Sequence, residues 1–184
     1  MELIKTSIPD LLIIEPKVFE DERGFFFEGY NKKRFESAGL DYNFVQDNYS
    51  KSQQGVLRGL HYQLAPYAQA KLVRVLKGSV LDVAVDIRKG SPTFGQWEAL
   101  ELSAENKLNL LIPRGFAHGF VVLSKEAEFF YKCDNYYSKE HEAGFRFDDP
   151  ELNIDWGSQT KSFILSAKDK ILPSFKDAEM NFEY

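Results

Sequence analysis

Few side chains in this sequence are suited to moving protons, and they are easily counted. Histidine occurs three times, at His61, His118 and His141, and cysteine once, at Cys133. No His-x-His or His-x-x-x-His pair occurs, and no cysteine pair, so the close-spaced ligands of a barrel metal site are missing and no metal is expected. His61 sits in Leu57-Arg58-Gly59-Leu60-His61-Tyr62-Gln63. An imidazole there could exchange protons near neutral pH, or it could be a core histidine bonded to a backbone carbonyl. Period two puts Leu57, Gly59, His61 and Gln63 on one strand face and Arg58 on the other. Arg58 and His61 can then share a site only if Gly59 permits a bulge or bend.

Lys71 opens a run in which Val73 and Val75 share its face. Either it faces the interior, where an unpaired lysine is costly and marks a site, or it reaches water from the strand end. Tyr131 shares a face with Ala127, Phe129 and Cys133, which turns it inward, where its hydroxyl needs a partner. Ala117 and Gly119 flank His118 and let a backbone or ligand come close.

The elements that must hold these residues read as short alternating runs broken by Gly or Pro, the pattern of a sandwich or barrel. Leu11–Val18 is an apolar run interrupted by Pro16, and strands are expected over Gly24–Tyr30, Val56–Leu64, Lys71–Leu76, Val80–Ile87, Trp97–Leu102, Leu108–Ile112, Gly119–Leu123 and Glu128–Tyr136. Turns are expected at Lys77-Gly78-Ser79 and Pro113-Arg114-Gly115. One short helix is expected over Asn31–Gly39, capped by Asn31 and ended by Gly39. The last third, rich in Asp, Glu and Lys, reads as short helices and a tail packed on the barrel. No long helical period separates the strands, so a jelly roll fits better than β-α units.

The 184 residues suit one domain spanning 1–184. Net charge is −5 with no long basic run, which gives little support for a nucleic-acid groove. A single cysteine excludes an intramolecular disulfide. No apolar run approaches the roughly 20 residues that span a bilayer, and the start lacks the features of a signal peptide. No membrane association and a cytoplasmic location are expected.

Each of these signals is weak alone, but their order is specific. Asp21-Glu22-Arg23-Gly24-Phe25-Phe26-Phe27-Glu28, Gln46-Asp47-Asn48-Tyr49-Ser50, Leu57-Arg58-Gly59-Leu60-His61-Tyr62-Gln63 and Lys71-Leu72-Val73-Arg74-Val75 come first. Pro113-Arg114-Gly115-Phe116-Ala117-His118-Gly119-Phe120, Tyr131-Lys132-Cys133 and Asn135-Tyr136-Tyr137 follow. Together they resemble the dTDP-4-dehydrorhamnose 3,5-epimerase family over nearly the whole chain. The resemblance implies an all-β, cupin-type jelly-roll barrel with a few short peripheral helices, no metal or cofactor, and a homodimer. It implies epimerisation of a thymidine diphosphate 4-keto-6-deoxy sugar at the two carbons flanking the ketone, a step toward dTDP-L-rhamnose. His61 matches the general base, Asp169 the carboxylate that orients it, Tyr131 the acid on the other face of the sugar, and Lys71 the cation beside the enolate oxygen. Arg23, Glu28, Gln46, Asn48, Arg58, His118, Glu142 and Lys168 match substrate contacts, and Tyr137 the ring that stacks on thymine. Two other readings are a single-centre epimerase or ketoisomerase of a related nucleotide sugar, and a non-catalytic carbohydrate-binding jelly roll.

Overall fold

In a computed structural model, which describes residues 1–157 and 162–184, two antiparallel sheets pack face to face. The first has six strands in the order β1 (Glu2–Lys5), β2 (Leu12–Glu15), β10 (Asn109–Ile112), β7 (Lys71–Lys77), β12 (Glu126–Cys133) and β5 (Gln46–Gln53). The second has five, in the order β13 (Glu142–Gly144), β6 (Leu57–Gln63), β11 (Phe116–Val122), β8 (Ser79–Asp86) and β9 (Trp97–Ser103). A separate ribbon pairs β3 (Phe19–Asp21) with β4 (Gly24–Phe26). Neighbours in each sheet are mostly distant in sequence, as a jelly roll requires.

Alternation divides the apolar residues into three layers. Val73, Val75, Val80, Ala84, Leu110, Ile112, Phe116, Phe120, Val122, Ala127 and Phe129 fill the space between the sheets. On the second sheet, the alternate positions Val83, Val85, Ala117 and Val121 point outward and are covered by Trp156, Phe175 and Phe182 of the C-terminal segment. Outward positions of the first sheet, Leu72 and Leu111, are covered by Phe35 of helix α1 (Lys32–Ser37). Both sheets thus bury apolar side chains on two faces. The helix has the expected caps: Asn31 Oδ1 accepts from Arg34 N at 3.3 Å, and Gly39 follows with φ +81°.

Some expectations are corrected. The aromatic run Gly24–Tyr30 is a strand only over Gly24–Phe26, because it pairs with β3 alone and turns away toward the helix. The turn expected at Lys77-Gly78-Ser79 is present, a tight corner joining strands of opposite sheets, with Gly78 at φ +76°. The short helices of the last third are single 3-10 turns, Lys139–His141 and Asp169–Ile171. Strands β1, β5 and β13 carry no clear apolar alternation in sequence, and β5 is an edge strand of mainly polar residues.

Candidate active site

Period two breaks in β6, and the break makes the site. His118 of β11 pairs with His61, but Phe120, two residues on, pairs with Arg58, three residues back. The extra residue is absorbed at Gly59, whose φ is +125°. A Cβ on Gly59 would stand 2.5 Å from Gly119 Cα, and one on Gly119 would stand 2.8 Å from Arg58 O. Two glycines therefore let the strands touch, and the bulge turns Arg58 and His61 into the same cavity. Leu57, which strict alternation would put on the His61 face, packs instead with Leu60 and Tyr62 in the outer cluster.

That cavity, about 510 Å³, opens between the sheets. Asn48 of β5, Arg58 and His61 of β6, Lys71 of β7, His118 of β11 and Tyr131 of β12 line it, with Ser166, Lys168 and Asp169 from the C-terminal segment. The volume is in the range of small-ligand sites. The segment is fixed by backbone bonds: Leu57 N donates to Ile164 O at 3.0 Å and Ile164 N to Gly55 O at 2.8 Å. The Asp169 carboxylate is thereby carried to 2.6 Å from His61 Nε2.

Asp169 is 4% exposed. Burial alone would raise its pKa, but the hydrogen bond and charge of His61, helped by Ser166, outweigh it and hold the carboxyl below its usual value. With Nε2 bound to Asp169, Nδ1 of His61 is the nitrogen left for a ligand. The Tyr131 phenol is pushed up to about 12, chiefly by burial and further by Cys133, so it holds its proton at neutral pH. Lys71 Nζ lies 6.0 Å from the Tyr131 ring centroid. Burial lowers its pKa, while Cys133, Asp82 and Glu142 pull the other way. Lys71 faces the cavity, so water at the strand end is not its destination. An imidazole with a buried carboxylate behind it, a protonated phenol and a partly buried amine thus face one space. Such a set can take a proton from carbon, hold the resulting oxyanion and return a proton.

Three more expected residues form a chain at the rim. Lys168 and Glu142 make an ion pair, and Tyr137 Oη donates to Glu142 Oε2 at 2.9 Å. Tyr137 N donates to Gln46 Oε1 at 3.0 Å, and Gln46 Nε2 donates to Asn48 Oδ1, also at 3.0 Å. The Tyr137 ring is exposed.

Arg23 and Glu28 are not brought to this cavity. Arg23 is exposed on the β3–β4 ribbon and pairs with Asp21, while Glu28 pairs with Arg34. One group the sequence reading passed over is Asp82, fully buried, whose carboxylate oxygens lie 3.0 and 2.9 Å from His118 Nε2. An acid inside the run Val80-Leu81-Asp82-Val83-Ala84-Val85 was its signal. Among the described residues, no group of three or more His, Cys, Asp or Glu side chains could hold a metal ion.

Comparison with known proteins identifies the family. The family model described as dTDP-4-dehydrorhamnose 3,5-epimerase matches residues 5–177. The chain belongs to the dTDP-4-dehydrorhamnose 3,5-epimerase family. The family's enzyme from Shigella flexneri is 62% identical over 180 residues, 97% of this chain and 98% of that one. Among solved structures, the family's enzyme from Elizabethkingia anophelis superposes with TM-score 0.92 at 60% identity, covering 96% of this chain and 97% of its own. A 3,5-epimerase from Legionella pneumophila, solved with dTDP-4-keto-L-rhamnose, superposes with TM-score 0.94 at 52% identity, covering 100% and 98%. The cupin-type jelly roll expected of an epimerase of this family is the fold observed.

Proposed function

We propose that His61, Asp169, Lys71 and Tyr131 carry the family's chemistry in this cavity. The reaction is the 3,5-epimerisation of dTDP-4-dehydro-6-deoxy-D-glucose to dTDP-4-dehydro-L-rhamnose, a step of dTDP-L-rhamnose biosynthesis. The protons at C3 and C5 flank the C4 ketone, and loss of either puts negative charge on the C4 oxygen. His61 takes the proton at Nδ1, and the imidazolium formed is held by Asp169. Lys71 stands beside the charged oxygen. Tyr131 returns a proton from the other face, which inverts the centre, and solvent resets both groups. The carrying observation is that the 2.6 Å His61–Asp169 pair and the partly buried Tyr131 phenol line the same cavity.

Arg58, His118, Asn48 and Lys168 are the substrate contacts inside the cavity, with Gln46, Tyr137 and Glu142 along its rim. Arg58 suits the diphosphate because its guanidinium spends hydrogen bonds only on the Ser52 hydroxyl among the described residues. Arg23 and Glu28 reach substrate in a homodimer, from the ribbon of a second copy. Neither lines its own cavity, and the exposure of Phe19, Phe25 and Phe26 on that ribbon supports this. The enzyme works in the cytoplasm without cofactor; no helix among the described residues is long and apolar enough to cross a membrane.

Proton NMR of dTDP-4-keto-6-deoxyglucose in heavy water tests the reaction. Deuterium entering at both C3 and C5, with product of inverted configuration at both, is the expected result. Exchange at C3 alone would make the enzyme a single-centre epimerase, and exchange at the uncatalysed rate would make the cavity a binding site only. Mixed dimers test the second copy. A dimer of one Arg23→Ala chain and one His61→Ala chain has one intact site and one doubly damaged site. Turnover well above either parent is expected; no recovery would put Arg23 and His61 of a single chain in each site.

A further inference from the structure

Asp82 stands at the centre of β8 with Val80 and Ala84 on its interior face. Its carboxylate has no solvent exposure, and both oxygens are engaged by one donor, His118 Nε2. A fully buried carboxylate is costly to fold around, and the hydrophobic residues beside it would pack without it. His118 itself is 7% exposed, and its Nδ1 has no hydrogen-bond partner among the described residues. That nitrogen belongs to a side chain lining the cavity.

Lys71 lines the same cavity with no carboxylate at ion-pair distance among the described residues. The groups facing it come from five strands. Cys133 and Tyr131 approach from β12, Asp82 from β8, His118 from β11, His61 from β6 and Glu142 from β13. Cys133 is a thiol with its pKa up to about 11, chiefly from burial, and Tyr131 is a neutral phenol. Glu142 is committed to Lys168 and Tyr137, and Asp169 to His61. Asp82 is the one fully buried carboxylate of the set.

We propose that Asp82 is a positioning residue of the epimerase site, fixing through His118 which imidazole nitrogen faces the sugar and supplying the counter-charge that keeps Lys71 an ammonium. With Nε2–H pointed at Asp82, burial and the nearby positive charge of Lys71 favour the neutral ring, and Nδ1 is left as an acceptor for a sugar hydroxyl. The same carboxylate balances Lys71 before substrate arrives, so the amine does not have to acquire its charge as the enolate forms.

The assignment builds on the epimerase chemistry above, and NMR of the free protein tests it separately from turnover. With only three histidines, 15N-imidazole spectra can be assigned by single substitutions. In the unsubstituted protein His118 is expected neutral with its proton on Nε2; a proton on Nδ1 would overturn the proposal. Lysine Nζ titration, with the Lys71 signal identified by Lys71→Arg, is expected to move down by about one unit in Asp82→Asn. In turnover, Asp82→Asn is expected to lower kcat on the order of 100-fold with little change in KM, and to move the alkaline limb of the kcat profile toward acid. An unchanged Lys71 titration, or an unchanged alkaline limb, would overturn the counter-charge role. If Asp82→Asn does not fold, the His118 tautomer in the unsubstituted protein still decides the positioning role. His118→Asn, which keeps the Asp82 charge, is expected to lower kcat while leaving the alkaline limb in place; a shift equal to that of Asp82→Asn would overturn the counter-charge role. Absence of epimerisation in the unsubstituted protein would refute the reaction assigned above and leave both NMR measurements standing.

Discussion

Replacing Asp169 by Asn keeps the shape of the base and removes the charge behind it. In the unsubstituted enzyme the carboxylate lies 2.6 Å from His61 Nε2 and is 4% exposed. When His61 takes a proton from carbon, it becomes an imidazolium facing that anion. Two unit charges with centres about 4 Å apart attract by about 4 kcal/mol at an effective dielectric near 20. The His61 side chain is 27% exposed, so water removes part of this. A loss of about 2–4 kcal/mol from the transition state follows, or roughly 30- to 1,000-fold in kcat. The amide can also present its NH₂ to Nε2, which would put the ring proton on Nδ1, where a bare nitrogen is needed. Rates of deuterium entry at C3 and C5 under saturating substrate measure the effect directly, with KM expected to change little. A variant that exchanges both protons within threefold of the unsubstituted rate would refute the assignment of Asp169 as the partner of the base.

Tyr131→Phe is expected to separate the two halves of each inversion: proton abstraction persists as deuterium entry into recovered substrate, while product with inverted centres falls at least 100-fold. Equal losses of exchange and inversion would remove Tyr131 from the acid role. Because burial lowers the Lys71 pKa, its charge is lost as pH rises through a value below the ordinary lysine range of about 10.4, so kcat should fall there while Tyr131, at about 12, is still protonated. Lys71→Arg should abolish that limb in the pH–rate profile, whatever activity it retains. Acid has the opposite sign. The Asp169 pKa is held down in the folded state, so its contribution to stability is full above its unfolded value and lost as pH falls through the folded one; thermal melts of Asp169→Asn should depend less on pH in that window. Phe129→Ala, at a residue 1% exposed and stacked on Phe120 at 4.2 Å, should cost about 3–5 kcal/mol in denaturant unfolding.

The strands with apolar alternation were readable because burial on a sheet enforces period two. Tyr131 and Lys71 face inward as their alternation with Phe129 and Val73 implies. For His61 and Arg58 the same rule failed, and the exception was written in Gly59, the one residue of that strand able to absorb the bulge. Strand β5 was not readable, because an edge strand of polar residues has no buried face to impose a pattern. Pairings across the chain were not readable from local pattern either. Asp169 meets His61 across 108 positions, and Asp82 meets His118 across 36, and neither distance leaves a local signature. Arg23 and Glu28 differ again: a reading of one chain cannot bring them to a cavity that their own fold keeps them from.

The carboxylate that serves the base lies beyond β13, the last strand among the described residues. Both sheets can be complete once Gly144 has emerged, yet at that stage the imidazole of His61 has no anion behind it. Competence for turnover is therefore acquired late, as a separate event from barrel closure. Phe175 and Phe182, packed on the outer wall, help anchor the segment that carries Asp169, so loosening them would draw the anion away from the base.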